Sequence, residues 1–98
     1  MISHVVCFKM KPFAQGKQKK DNLVTLKEKL ENLKVVIPQV KALQVGFNER
    51  GGEYDAVAVM IFDSKDDLDI YDNNPDHIAI KKYIGEVCFN MEIIDYSF

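Results

Sequence analysis

The sequence predicts an α+β fold of the ferredoxin-like kind, in which two helical regions cover one face of a four-stranded antiparallel sheet. Two observations predict it. Apolar residues alternate with a period of two in four separate stretches, and a helical period takes over between the first and second of these and again between the third and fourth. The resulting order, β-α-β-β-α-β, is that of the split βαβ arrangement.

Each element has its own warrant. "ISHVVCFKMK" reads as a strand from its β-branched and aromatic content, and Pro12 ends it. One of its faces carries Ile2, His4, Val6, Phe8 and Met10; the other carries Ser3, Val5, Cys7, Lys9 and Lys11. From about Gly16 to Leu33 the period is helical, with Leu23, Leu26, Leu30, Leu33 and Ile37 on one stripe. Pro38 stops the helix, because it cannot donate to the ladder and biases Ile37 away from helical angles. "VKALQVGFNE" alternates at Leu43, Val45 and Phe47 as a second strand, and "ERGGE" supplies two glycines for a hairpin turn. "YDAVAVMIF" is the third strand. Ser64 then stands as an N-cap, with Asp67 three residues on.

"YDNNPDHIAIKKYI" interrupts the helix that Ser64 opens. Asn74 can cap a new helix, Pro75 suits its first position, and Asp76 favours its positive end. The break therefore reads as a restart: one short helix, a corner, and a second helix from Pro75 to about Gly85. "VCFNMEIIDYSF" is the fourth strand. No repeat, linker or low-complexity segment divides the 98 residues, so residues 1–98 are expected to form a single domain.

Composition narrows the function classes. An apolar share of 47% and a charged share of 29% fit a globular chain. A chain of this size buries only about 60–65% of its unfolded surface, so its core is thin. The net charge of −2 argues against nucleic-acid binding, which normally needs a basic face. Lys17-Gln18-Lys19-Lys20 reads as the solvated start of a helix, since Asp21, Glu28 and Glu31 follow. The longest apolar run, Ala56 to Phe62, is too short to cross a bilayer, and no membrane role is expected. Met1-Ile2-Ser3-His4 lacks a charged leader before a long apolar stretch, which makes the cytoplasm the expected location. Cys7 and Cys88 lack the spacing of a zinc site or a disulfide framework and are expected to be buried free thiols. No phosphate loop, Ser-His-Asp series or haem attachment motif is present, and no metal or cofactor is expected.

The third strand is apolar on both faces, with Ala56, Ala58, Met60 and Phe62 on one and Val57, Val59 and Ile61 on the other. A half-solvated antiparallel sheet carries polar residues on its outer face, so something must cover this one. The expected cover is a second copy of the chain, packed sheet against sheet by two-fold symmetry.

"HVVCFKMK", "IPQVKALQVGFN", "YDAVAVMIF", "YDNNPDH" and "IIDYSF" together resemble the stress-responsive A/B barrel domain (Dabb) family, in the right order over nearly the whole chain. The resemblance implies a homodimer whose two sheets close into a dimeric α/β barrel. It also implies three site residues: His4 as the first-strand histidine, His77 as the histidine of the Pro-x-His corner, and Tyr71 as the tyrosine six residues before it. In cyclase-type members such groups line a pocket between helices and sheet, where a histidine serves as general base. Such cyclases carry a further histidine where this chain has Ala56 and a tyrosine where it has Leu30.

The residues themselves lead to the same place. His4 shares a strand face with Val6 and Phe8, and His77, Ile80 and Ile84 form one helical stripe. The expected pocket is lined by Val6 and Phe8 on the first strand, Leu26 and Leu30 on the first helix, and Ala56, Ala58 and Met60 on the third strand. Two histidines and a phenol at one apolar cavity can move protons near neutral pH. A histidine at a helix start also commonly packs and donates to a carbonyl, and His4 also fits a satisfied core residue, so both readings stand at this point. The expected function is binding of a small, largely apolar carbonyl or aromatic ligand by a homodimer. The alternative is a cofactor-independent enzyme of polyketide cyclase or lyase type with His77 as base. A weaker alternative is a barrel enzyme like the antibiotic-biosynthesis monooxygenases.

Overall fold

The computed structural model describes Met1 to Phe98. The chain runs β1 (Ile2–Met10), β2 (Phe13–Ala14), β3 (Lys17–Gln18), α1 (Lys19–Val36), β4 (Ala42–Phe47), β5 (Ala56–Phe62), α2 (Lys65–Asn73), α3 (Pro75–Val87) and β6 (Cys88–Ser97). Strand β1 is central, bonded to β5 on one side and β6 on the other, and the sheet order is β4-β5-β1-β6 with every pair antiparallel. This is the ferredoxin-like α+β fold with its four-stranded sheet.

The helices lie over the face that carries His4, Val6, Phe8 and Met10. Val6, Phe8, Ala58, Met60 and Phe62 from the sheet are buried against Leu26, Leu30 and Leu33 of α1 and Ile80 and Ile84 of α3. Burial of this kind is worth roughly 1.5–3 kcal/mol per large side chain. Leu23, expected on the same stripe, is only half-buried, and Asn22 beside it is fully covered.

That difference traces to a small hairpin that the sequence reading did not anticipate. Gln15 and Gly16 take positive φ of 51° and 71°, closing a tight turn between β2 and β3. A left-handed pair cannot open an α-helix, so α1 begins at Lys19 rather than near Gly16. The Asn22 side chain donates to the Ala14 carbonyl at 3.0 Å and so fastens the hairpin to α1. At its far end α1 continues to Val36, with the Ile37 N–H still bonded to the Leu33 carbonyl at 2.9 Å.

The corner forms as its residues dictate. The Asp67 N–H donates to Ser64 Oγ at 3.2 Å, which opens α2. The Asp76 N–H donates to Asn74 Oδ1 at 2.9 Å, and Pro75 occupies the first turn of α3. On the opposite sheet face Val5, Cys7, Val57, Val59 and Ile61 are half-buried, while Ile94 and Tyr96 of β6 are exposed. The apolar outer face expected from the third strand is therefore present and extends onto β6. Cys7 and Cys88 are free and half-buried rather than fully buried, and Cys88 Sγ lies 3.5 Å from Met10 Sδ.

Candidate functional site

The restart at Asn74 turns α3 away from α2 so that residues on either side of the corner face each other. Tyr71 from the last turn of α2 and His77 from the first turn of α3 stack, with ring centroids 4.1 Å apart and planes 29° from parallel. His4, from the middle of the sheet, meets Tyr71 edge-on at 6.1 Å. The three expected site residues thus share one end of a cavity of about 500 Å³ between the sheet and the α2–α3 pair.

Val6, Phe8, Leu30 and Met60 form its apolar wall, with Ile84 of α3 and Met91 and Ile93 of β6. Leu26, Ala56 and Ala58 do not reach it. All three belong instead to the hydrophobic core between α1 and the sheet. A smaller hollow of about 300 Å³ beside the β4–β5 turn is lined by Lys20, Phe47, Tyr54 and Asp55 among others, and contains no histidine. No three His, Cys, Asp or Glu side chains converge to hold a metal ion.

Both histidines have a hydrogen-bond partner. His77 Nδ1 lies 3.3 Å from the Asp72 carbonyl. A carbonyl only accepts, so Nδ1 carries the proton and the lone pair of the neutral ring is on Nε2. Burial lowers the His77 pKa below its ordinary value. The Asp72 carbonyl and carboxylate pull the other way, and Lys81 and His4 reinforce the lowering. Burial pushes the Tyr71 phenol well above its ordinary value, with the Asp72 charge adding to the effect. At neutral pH the site therefore offers an uncharged imidazole acceptor stacked on a phenol that keeps its proton.

The sequence reading did not find Asp95. Its Oδ1 lies 2.5 Å from His4 Nδ1, so His4 donates to a carboxylate and presents Nε2 away from it. The pair arises from strand register, since His4 stands directly opposite Asp95 in the β1–β6 ladder. The alternation Met91, Ile93, Asp95 was visible in the sequence, but which of these would face His4 depends on the register, which no turn between neighbouring strands fixes. Asp72, Asn73, Lys81 and Gly85 complete the rim.

Comparison with known proteins identifies the family and the fold. The sequence profile of the stress responsive A/B barrel domain matches residues 2–98. The chain belongs to the stress responsive A/B barrel domain family. Among curated proteins none matches by sequence. Several solved structures share the A/B barrel chain fold. One is a dimeric protein of unknown function with a ferredoxin-like fold from Bacteroides fragilis, 27% identical with a TM-score of 0.81, over 99% of this chain and 95% of that one. Another is a Dabb family protein from Mesorhizobium loti, 25% identical with a TM-score of 0.74, again over 99% and 95%. A hydroxynitrile lyase from Passiflora edulis has a TM-score of 0.82 at 17% identity, over 97% of this chain and 90% of that one, which is a likeness of fold alone.

Proposed function

We propose that this A/B barrel protein binds a small, largely apolar carbonyl compound, with the carbonyl at the Tyr71–His77 end of the cavity. The observation that carries this reading is the division of the cavity wall. One end gathers His4, Tyr71, His77 and Asp95, with Asp72, Asn73 and Lys81 at the rim, and the inner wall is hydrocarbon. Such a division suits a ligand with one polar atom and an apolar body, since an apolar wall contributes binding and a few placed polar groups set orientation. Tyr71 donates its O–H to the ligand oxygen, and the Met60, Ile84 and Phe8 side chains enclose the remainder. The protein acts as a homodimer in this reading, joined through the Val57, Val59 and Ile61 face and located in the cytoplasm. The dimeric state of the Bacteroides fragilis neighbour supports the pairing.

Acetophenone, one aryl ring and one carbonyl, tests the reading by ligand-detected NMR. Binding to wild type that drops roughly fivefold in Tyr71→Phe is expected, the worth of one net hydrogen bond. Equal binding by the two proteins would show that the phenol does not hold the carbonyl.

A second reading, proton-transfer catalysis, is favoured by one observation: His77 is held neutral, with its tautomer fixed and Nε2 free, against a phenol that keeps its proton. In this reading His77 Nε2 removes a proton α to the ligand carbonyl while Tyr71 hydrogen-bonds the enolate oxygen that develops. Exchange of the acetophenone methyl protons in D₂O, followed by NMR, separates catalysis from binding alone. Acceleration by wild type and its absence in His77→Ala support catalysis; binding without acceleration leaves a binding protein.

A further inference from the structure

We infer that the cavity continues into an open slot between α3 and β6, kept clear by Gly85, and that this slot receives the alkyl chain of an elongated carbonyl ligand. The inference rests on the reading of the cavity as a carbonyl-binding site and specifies the ligand further.

Helical spacing brings His77, Lys81, Ile84 and Gly85 onto one stripe of α3, and all four line the cavity. Only Gly85 has no side chain there. Its backbone does not call for glycine, since it is not among the residues with positive φ. Crowding does not call for it either, because a Cβ built at Gly85 meets no atom within 4 Å. A glycine inside a helix weakens that helix relative to alanine, so the position stays small at a cost in stability. Gly85 is exposed at the cavity rim, so the space it leaves opens from the cavity to solvent, and a larger side chain would stand in it.

Strand β6 provides the opposite wall. Met91 and Ile93 are on the same sheet face as Val6 and Phe8, their partners in the ladder being Phe8 and Val6. Yet Met91 is 40% and Ile93 54% exposed, against 6% for Val6 and 1% for Phe8. The helices cover β1 and stop short of β6, so two apolar side chains that line the cavity also look out of it. A ligand whose oxygen is at Tyr71 and whose chain leaves past Gly85 covers them. The chemistry of this wall, a thioether and a branched alkyl facing Ile84 and the bare Gly85 position, suits a saturated chain, with Lys81 one turn away at the rim.

Titration of wild type, Gly85→Ala and Gly85→Leu with acetophenone, butyrophenone, hexanophenone and octanophenone tests the slot. For wild type the affinity should rise with each methylene until the slot is full, by at most about fourfold per group. Measured relative to its own acetophenone affinity, Gly85→Leu should lose most of the gain with chain length, with Gly85→Ala in between. Should Gly85→Leu not fold, Gly85→Ala, which the helix favours, carries the comparison with a smaller loss. Acetophenone binding with no gain for longer chains in wild type, as would follow if a second copy covered the slot, overturns the inference and leaves the carbonyl site standing. A full chain-length gain retained in the leucine variant overturns it equally. Failure of every ketone to bind wild type overturns the carbonyl reading, and the slot with it.

Discussion

Burial acts on the two stacked rings in opposite senses, removing a charge from His77 and keeping a proton on Tyr71. The consequence for stability follows from linkage. His77 has a folded pKa below its unfolded value of about 6.5, so between those two values the unfolded chain binds more protons. Stability is therefore lost as the pH falls through that window and levels off once both states are protonated. Melting temperatures of wild type taken from pH 7.5 down to pH 5 should fall more steeply than those of His77→Ala, and parallel curves would show that His77 is not the group responsible. At pH 7.5 the same substitution removes a ring stack worth roughly 0.5–1.5 kcal/mol. It also replaces a histidine by a residue that favours the helix by about 0.5 kcal/mol and frees a half-buried polar ring. These nearly cancel, so the melting temperature should move by only a few degrees while acetophenone binding weakens. A large loss of stability with unchanged binding would make His77 a packing residue. The histidines and Tyr71 were legible in the sequence because each stands on an apolar stripe of its own element. Asp95 was not, because its partner is 91 positions away and the ladder register alone brings the two together.

The α2–α3 corner is the element whose local chemistry the sequence states most directly. Asn74 accepts a hydrogen bond from the Asp76 N–H, and removing it by Asn74→Ala should cost about 1 kcal/mol. Pro75→Ala loses only a preset φ and should cost no more than about 0.5–1 kcal/mol. Denaturant titration of both variants ranks them, and a greater loss at Pro75 would mean that the corner is held by something other than its cap. Gly85→Ala should go the other way and stabilise the chain by about 0.5–1 kcal/mol, since the new methyl meets no neighbour. The short β2–β3 hairpin shows where element-level reading stops. Two-residue strands carry no period, and Gln15 at positive φ has no sequence marker of the kind that glycine provides. The pocket wall shows the same limit: Ala58 and Met60 share a face of β5, but only the tertiary packing decides that Met60 lines the cavity and Ala58 does not.

At the level of the whole molecule, the layers were legible because two helical segments can cover only one face of four strands, and β5 is apolar on both. Val59→Lys sets an ammonium group on the outer face between Val57 and Ile61. If that face is the contact between two copies, the charge is buried without a partner and the variant should run as a monomer or aggregate by light scattering, while wild type runs as a dimer. Wild type running as a monomer at micromolar concentration would remove the paired-sheet reading. The strand order has a kinetic consequence as well. Ile2 pairs with Ser97 and His4 with Asp95, so the ladder between β1 and the edge strand β6 joins the most distant parts of the chain. Loops of that length close late, and topologies dominated by such pairings fold slowly. An intermediate that has joined β4, β5 and β1 under α1 would already have much of the core but neither Asp95 nor the outer wall of the cavity. The binding site should then be among the last features to appear on refolding. Ketone binding should lag behind the bulk of the circular-dichroism signal in a stopped-flow experiment.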